Sequence, residues 1–287
     1  MAGRTVVVTD STAMLPAEVA AEHGIIVVPL QVVIGSEVHD EGSPGATPER
    51  VAEALREFLP VSTSRPTPAA LQQVYDDAAE AGATRVISIH LSGEMSGTFE
   101  SAQLAARAAS IPVIPVDSRQ VGPATGYAAI GAADALAGGA TPEGAVAAAR
   151  ARADAASSYF YVDTLEYLRR GGRIGAASAI LGGALAVKPL LTITDGRVAT
   201  WEKVRTASRA LARLEDLAVA AAGTGQVDVC VAHLASPDRA GALAEHLAQR
   251  LEDQLDGRTI WCGELGAVVG AHVGPGMVAV CVSPVAG

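Results

Sequence analysis

Aromatic side chains are scarce: Phe, Tyr and Trp together make up 3% of the 287 residues. A core of stacked rings is excluded, and so is a groove that binds nucleic acid by stacking bases on aromatics. No long basic run occurs and the net charge is −10, which argues further against nucleic acid as a partner. Cysteine is limited to Cys230, Cys262 and Cys281, an odd number, so a disulfide framework is not expected. All three fall in apolar runs that read as strands, and buried free thiols in a reducing cytoplasm are the expectation. No stretch of about 18 apolar residues escapes a charge or a proline, so no transmembrane helix is expected. The opening TVVVTD run lacks the charged flank and cleavage site of a signal peptide. Glycine fingerprints and Walker motifs are absent after any predicted strand, which disfavours bound dinucleotides and nucleoside triphosphates. The six histidines (23, 39, 90, 233, 246 and 272) and the cysteines show no metal-ligand spacing, so neither a metal nor another cofactor is expected.

What the chain has instead is aliphatic residues: 49% of it is apolar, chiefly Ala, Val, Leu and Ile. A chain of this length forms one large or two ordinary domains. Strands are predicted at 5–9, 25–34 (broken by Pro29), 85–91 and 112–116. Helices are predicted at 16–22, 47–59, 67–81, 98–108, 123–137 and 142–156, with 35–47 read as a loop. Strands alternating with helices give a mostly parallel sheet with helices on both faces, over residues 1–156. In residues 157–287, Asp195-Gly196 marks a hairpin between strands at 190–194 and 197–202. Helices at 206–222 and 237–255, strands at 159–162, 227–233 and 258–262, and a closing strand pair split by Gly274-Pro275-Gly276 complete a mixed α/β domain. The expected fold is therefore a two-domain α/β protein.

Charge divides unevenly. Residues 1–156 carry nine basic and eighteen acidic side chains, against twelve and thirteen in 157–287. The balance reverses between Leu165 and Arg205, where seven basic residues face three acidic ones. At the head of this stretch Asp163 or Thr164, with Glu166, fits a capping box. Arg169 and Arg170 suit the last turn of a helix that Gly171-Gly172 terminates. Arg173 follows, and then the nearly unpolar run 176–187. An arginine-rich turn joined to a smooth apolar surface suits a ligand or partner with one charged and one greasy end. The plainer reading is a capped surface helix followed by a core helix.

Ligands of parallel α/β sheets sit beyond the carboxyl ends of the strands. Three predicted ends carry hydroxyls, at Thr9-Asp10-Ser11-Thr12, from Ser92 to Thr98, and at Asp117-Ser118; Ser62-Thr63-Ser64-Arg65-Pro66 lies before a helix. Hydroxyls and helix N-termini can together cradle a carboxylate or phosphate. Gly93-Glu94-Met95-Ser96-Gly97 is one residue out of register with a nucleophile elbow. A phosphotransferase or hydrolase acting on a small polar substrate through Ser92 or Ser96 is nevertheless the rival reading. His272, held between Gly270 and Gly274-Pro275-Gly276, is either a structural residue or, near a carboxylate, a donor that titrates near neutrality.

These motifs (TDST at 9–12, TSRP at 63–66, LSGEMSGTFESA at 91–102, VDS at 116–118, DTLEYLRRGGRIG at 163–175, KPLL at 188–191, KVRT at 203–206 and AHVGPG at 271–276) lie in order along nearly the whole chain. Together they resemble the DegV family of bacterial fatty-acid-binding proteins, which includes the carrier subunit of fatty acid kinase. The resemblance implies two α/β domains holding one long-chain fatty acid between them. It also implies a carboxylate presented to the kinase's catalytic subunit for acyl-phosphate formation, and a carrier that is not itself catalytic. Matched by motif, Thr63, Ser64, a serine of the 92–96 loop and His272 would bind the carboxylate. Family members often carry paired serines where this chain has Ser92-Gly93, so Ser92 and Ser96 both stand as candidates. Arg173 and Arg205 match residues expected at the kinase-facing surface. Burying about sixteen carbons at ~0.8 kcal/mol per CH₂ gives roughly 12 kcal/mol as an upper value, so the tail supplies affinity and the polar cluster orientation. The run 176–187 is the candidate for part of the tunnel wall.

Overall fold

The structure, a computed structural model, describes residues 3–180 and 188–285. Among the described residues the chain divides into two compact units. The first comprises Met1–Gln31 and Ser64–Asp154; the second comprises Val32–Thr63 and Ala155–Gly287. The sequence suggests one break near 156, and a break does fall at Asp154, but residues 32–63 belong with the second unit. Nothing in their composition marks them as an excursion.

The first unit is built on a parallel sheet in the order Ile26–Val28, Thr5–Asp10, Arg85–His90, Val113–Asp117. Its two central strands are buried along almost their whole length, as expected of a sheet covered on both faces. Helices Pro68–Glu80 and Thr98–Ala108 place Leu71, Tyr75, Ala78, Ala102 and Ala105 in one core layer with Val6, Val8 and Val86. Pro123–Ala137 packs on the two central strands and is buried around most of its circumference, with Ala, Gly and Thr allowing close approach. The hydroxyl-bearing segments at 10–12, 92–98 and 117–118 all follow carboxyl ends of these parallel strands.

The second unit carries a six-stranded mixed sheet, in the order Arg197–Val204, Lys188–Thr194, Ser157–Tyr161, Val278–Pro284, Val227–His233, Trp261–Glu264. Its pairs are antiparallel except the last, which is parallel. Asp195 and Gly196 turn the predicted hairpin with φ of 52° and 76°, the two positive values of a type I′ turn. Helices Ala207–Ala222 and Pro237–Arg250 cover the sheet with Leu214, Leu217, Leu243 and Leu247. The excursion adds a smaller sheet (Glu37–Asp40, Gln31–Ile34, Val61–Ser64) and helix Pro48–Arg56.

Several local expectations are corrected. The run 25–34 is two strands in different sheets, separated at Pro29, which has no N–H to continue a ladder. The 35–47 loop contains the strand Glu37–Asp40, a short, largely exposed edge whose charged residues hide its pairing from a search for apolar alternation. The run before Gly274 is a helix, Ala267–Val273, rather than a strand. A short apolar run has no period of its own, and here Glu41 decides it by accepting the Val268 N–H at 2.7 Å. Cys230 and Cys281 are buried free thiols as expected, whereas Cys262 is exposed.

Candidate functional site

In the second unit, two expected residues 209 positions apart meet. Thr63 Oγ1 and His272 Nε2 share a hydrogen bond of 2.9 Å. Thr63 is the last residue of the excursion and the next-to-last of its strand, Val61–Ser64, and His272 lies in the last turn of Ala267–Val273. That helix packs against both Pro48–Arg56 and the short helix Glu166–Arg170, so the excursion and the arginine-rich turn converge on the imidazole. Gly171 is required here for proximity: a Cβ at this position would collide with His272 Nδ1. Gly274 combines a φ of +76° with a closeness to the Tyr167 ring that leaves no room for a side chain.

The imidazole is kept neutral. Burial, and secondarily the positive charge of Arg173, push His272 down from 6.5 to about 4. Its Nδ1 is buried with no hydrogen-bond partner among the described residues. Arg173 itself folds back, Nη1 donating to the Gly171 carbonyl at 2.6 Å. The result is a neutral hydroxyl–imidazole pair in a positive local field. Such a pair lacks the counter-charge that a carboxylate would otherwise have to displace.

The arginine-rich turn forms differently from its sequence signature. Glu166–Arg170 starts from Leu165, without a side-chain cap. Thr164 Oγ1 accepts the Glu166 N–H at 3.2 Å, and the Glu166 carboxylate turns forward to Arg169 and Arg170 instead of closing a capping box. The two guanidiniums hold Glu166 down at about 2. Of the expected glycine stop, Gly172 adopts positive φ (+70°) while Gly171 stays helical. Arg205 is exposed and, with Lys203, Arg209 and Arg213, lines a shallow cleft of about 450 Å³ that also contains Glu202 and Asp216. The tunnel-wall candidate 176–187 lies outside the described residues from 181 onward.

The remaining candidates sit in the first unit. Ser92 is buried; its Oγ accepts the Glu94 N–H at 3.2 Å, and its carbonyl takes the N–H groups of Met95 and Ser96. Ser96 Oγ accepts the Thr98 N–H and bonds the Thr98 hydroxyl at 2.9 Å, at the start of the helix Thr98–Ala108, whose N-cap Gly97 has no side chain to offer. Ser64 is exposed, its hydroxyl donating to the Arg65 carbonyl. Arg65 then reaches the Gly97 carbonyl and Glu100, tying this segment to the 92–98 loop.

A buried polar chain lies beneath that loop, which sequence reading did not single out. Tyr75 OH bonds Ser88 Oγ at 2.8 Å, Ser88 Oγ bonds His90 Nε2 at 2.7 Å, and His90 Nδ1 bonds Asp10 Oδ2 at 2.9 Å. Asp10 also accepts N–H groups from Thr12 and Leu91. Burial pushes the Tyr75 hydroxyl up to about 12. The available signal was the alternation of Ser88 and His90 on a strand otherwise made of Val and Ile. Among the described residues no cluster of His, Cys, Asp or Glu is placed to hold a metal, and no helix is long and apolar enough to cross a membrane.

The chain is thus an α/β protein with one unit that carries hydroxyls at the carboxyl edge of a parallel sheet and another, on a mixed sheet, that carries a partly buried hydroxyl–imidazole pair. The family model described as "Uncharacterised protein, DegV family" matches residues 4–285. A DegV domain-containing protein of Streptomyces coelicolor is 50% identical over 283 residues, 99% of each chain. A Thermus thermophilus DegV family structure described by its fatty acid binding is 32% identical, with a TM-score of 0.89 over 98% of this chain and 100% of that one. DegV of Bacillus subtilis, described as a fatty acid binding protein, is 31% identical, with a TM-score of 0.90 over 99% and 100%. The chain belongs to the DegV family.

Proposed function

We propose that this protein binds a long-chain fatty acid and presents its carboxylate to a fatty acid kinase, without catalysing the transfer itself. The observation that carries this reading is the Thr63–His272 hydrogen bond, set in a neutral, partly buried site beside Arg173. A fatty acid's head needs donors whose orientation is fixed and whose charge is not already cancelled by a carboxylate of the protein. The hydroxyl–imidazole pair meets that need, each good bond to the charged head contributing about 1.5–3 kcal/mol. Two relatives with solved structures, each more than 30% identical to this chain, are described as fatty acid binders. Ser64, Ser92 and Ser96 are the further candidates for the carboxylate. Arg173 and Arg205 are assigned to the approach of the phosphate-bearing partner, where guanidinium groups offer paired donors to phosphate oxygens. Cytoplasmic residence fits two buried free thiols.

Native mass spectrometry of the purified protein tests the ligand: an adduct of fatty-acid mass is expected. The head-group site is tested by Thr63→Val with His272→Gln, which should abolish preference for a fatty acid over its methyl ester. A double variant that discriminates as strongly as the parent would place the carboxylate elsewhere.

A further inference from the structure

Helix Pro48–Arg56 stops in a manner its sequence disfavours. The Leu59 N–H donates to the Ala54 carbonyl at 2.9 Å and the Phe58 N–H to the Leu55 carbonyl at 3.3 Å, the paired bonds of a Schellman stop. That motif needs a left-handed residue at its turn, and glycine normally supplies it. Here the residue is Phe58, with a φ of +59°. Phe58 is 80% exposed, and Leu59 beside it is 46% exposed. Left-handed backbone crowds the Cβ of any L-residue, and an exposed ring gains nothing from burial. Glycine would avoid both penalties. The tip extends further: the Gly35 N–H donates to the Pro60 carbonyl at 2.9 Å, bringing the turn before strand Glu37–Asp40 to the same end. Val38 on that edge strand is 56% exposed.

We infer that the Phe58–Leu59 tip is an insertion element for the lipid bilayer interface. The inference deepens the proposed function and rests on it in one respect, that the carried fatty acid partitions into bilayers. Size favours a bilayer over a second protein: the tip offers on the order of 300 Å², well below the ~800 Å² per partner of a stable protein interface. Charge next to it is mixed rather than of one sign, since Arg56 and Glu57, both exposed, immediately precede it. No strongly charged partner is selected by that rim. A bilayer interface accepts a few large apolar side chains without a matching pocket.

The test uses Phe58→Gly in the full chain with vesicles of pure phosphatidylcholine. Because glycine suits the left-handed turn, the variant should be more stable than the parent, its thermal midpoint rising by about 2–4 °C. The parent should co-sediment with vesicles, largely independently of salt, and the variant should lose at least fivefold of that partition. Transfer of oleate from vesicles should slow by a similar factor, while uptake of oleate supplied from dilute aqueous solution should be unchanged. Equal sedimentation of parent and variant, or none by either, overturns the inference and leaves the tip as a contact for a protein partner or a second copy. If neither protein takes up oleate from solution, the proposed function fails, and the sedimentation comparison still decides the tip.

Discussion

Asp10 and His90 are hydrogen-bonded at 2.9 Å, and neither side chain has any solvent exposure. The two residues end adjacent parallel strands, so this bond fastens together the loops that carry Ser11-Thr12 and Leu91-Ser92. Asp10 receives backbone N–H groups from both loops and thereby serves as their common acceptor. Its replacement leaves several buried donors without a partner. Asp10→Ala is expected to cost about 3–5 kcal/mol in urea unfolding, the range for breaking one side of a buried pair. A loss below 1 kcal/mol would show that the loops hold each other without the carboxylate.

His272 gives a pH signature. Its value near 4 in the folded protein lies below 6.5, so between these limits the unfolded chain binds more protons. The stabilising contribution is complete above pH 6.5, declines as pH falls, and is lost below about 4. The full difference is worth about 3 kcal/mol. Lipid-free protein should therefore lose stability over this window, and His272→Gln should flatten that part of the curve. A bound carboxylate opposes the same shift, so adding fatty acid should raise the His272 titration midpoint, read from imidazole NMR signals. An unchanged midpoint in the lipid-bound protein would separate the imidazole from the head group.

Much of this was legible in the sequence, for identifiable reasons. Asp195-Gly196 fixed the hairpin because few dipeptides tolerate two positive φ values. Thr47-Pro48 and Thr67-Pro68 located two helix starts, and both threonines cap as expected, accepting N–H groups at 3.3 and 3.2 Å. Thr63 and His272 were named from motifs, but their meeting depends on residues 32–63 joining the second unit, which no local signal encodes. The helix at Ala267–Val273 escaped because its start is capped from Glu41, 227 residues away. Phe58 escaped for the opposite reason: a stop that lacks glycine carries no stop signal.

Arg205 separates binding from presentation. It is exposed at the end of strand Arg197–Val204, just before the helix capped by Thr206. Arg205→Ala should leave the amount of bound fatty acid unchanged while reducing acyl-phosphate formation at least tenfold in a reconstituted kinase assay. Loss of lipid in this variant would assign the guanidinium to the ligand pocket instead.

Gly171 offers the sharpest test of the head-group site, since its backbone is ordinary. Its φ of −73° suits alanine as well as glycine, and helix propensity alone makes alanine the better residue by about 1 kcal/mol. The obstacle is the imidazole, because a methyl group there would occupy the position of His272 Nδ1. Gly171→Ala must therefore push the ring away from Thr63 or displace the turn that carries Arg173. Fatty-acid affinity should fall at least tenfold, as judged by competition with a fluorescent fatty acid. Stability should change by less than the propensity gain suggests, since the clash offsets it. The displacement has a direct readout too: the His272 midpoint should move up from about 4 toward 6.5 as the ring gains solvent. An alanine variant with both affinity and midpoint unchanged would mean that the ring relaxes without consequence, and that its position against Thr63 is not what holds the carboxylate.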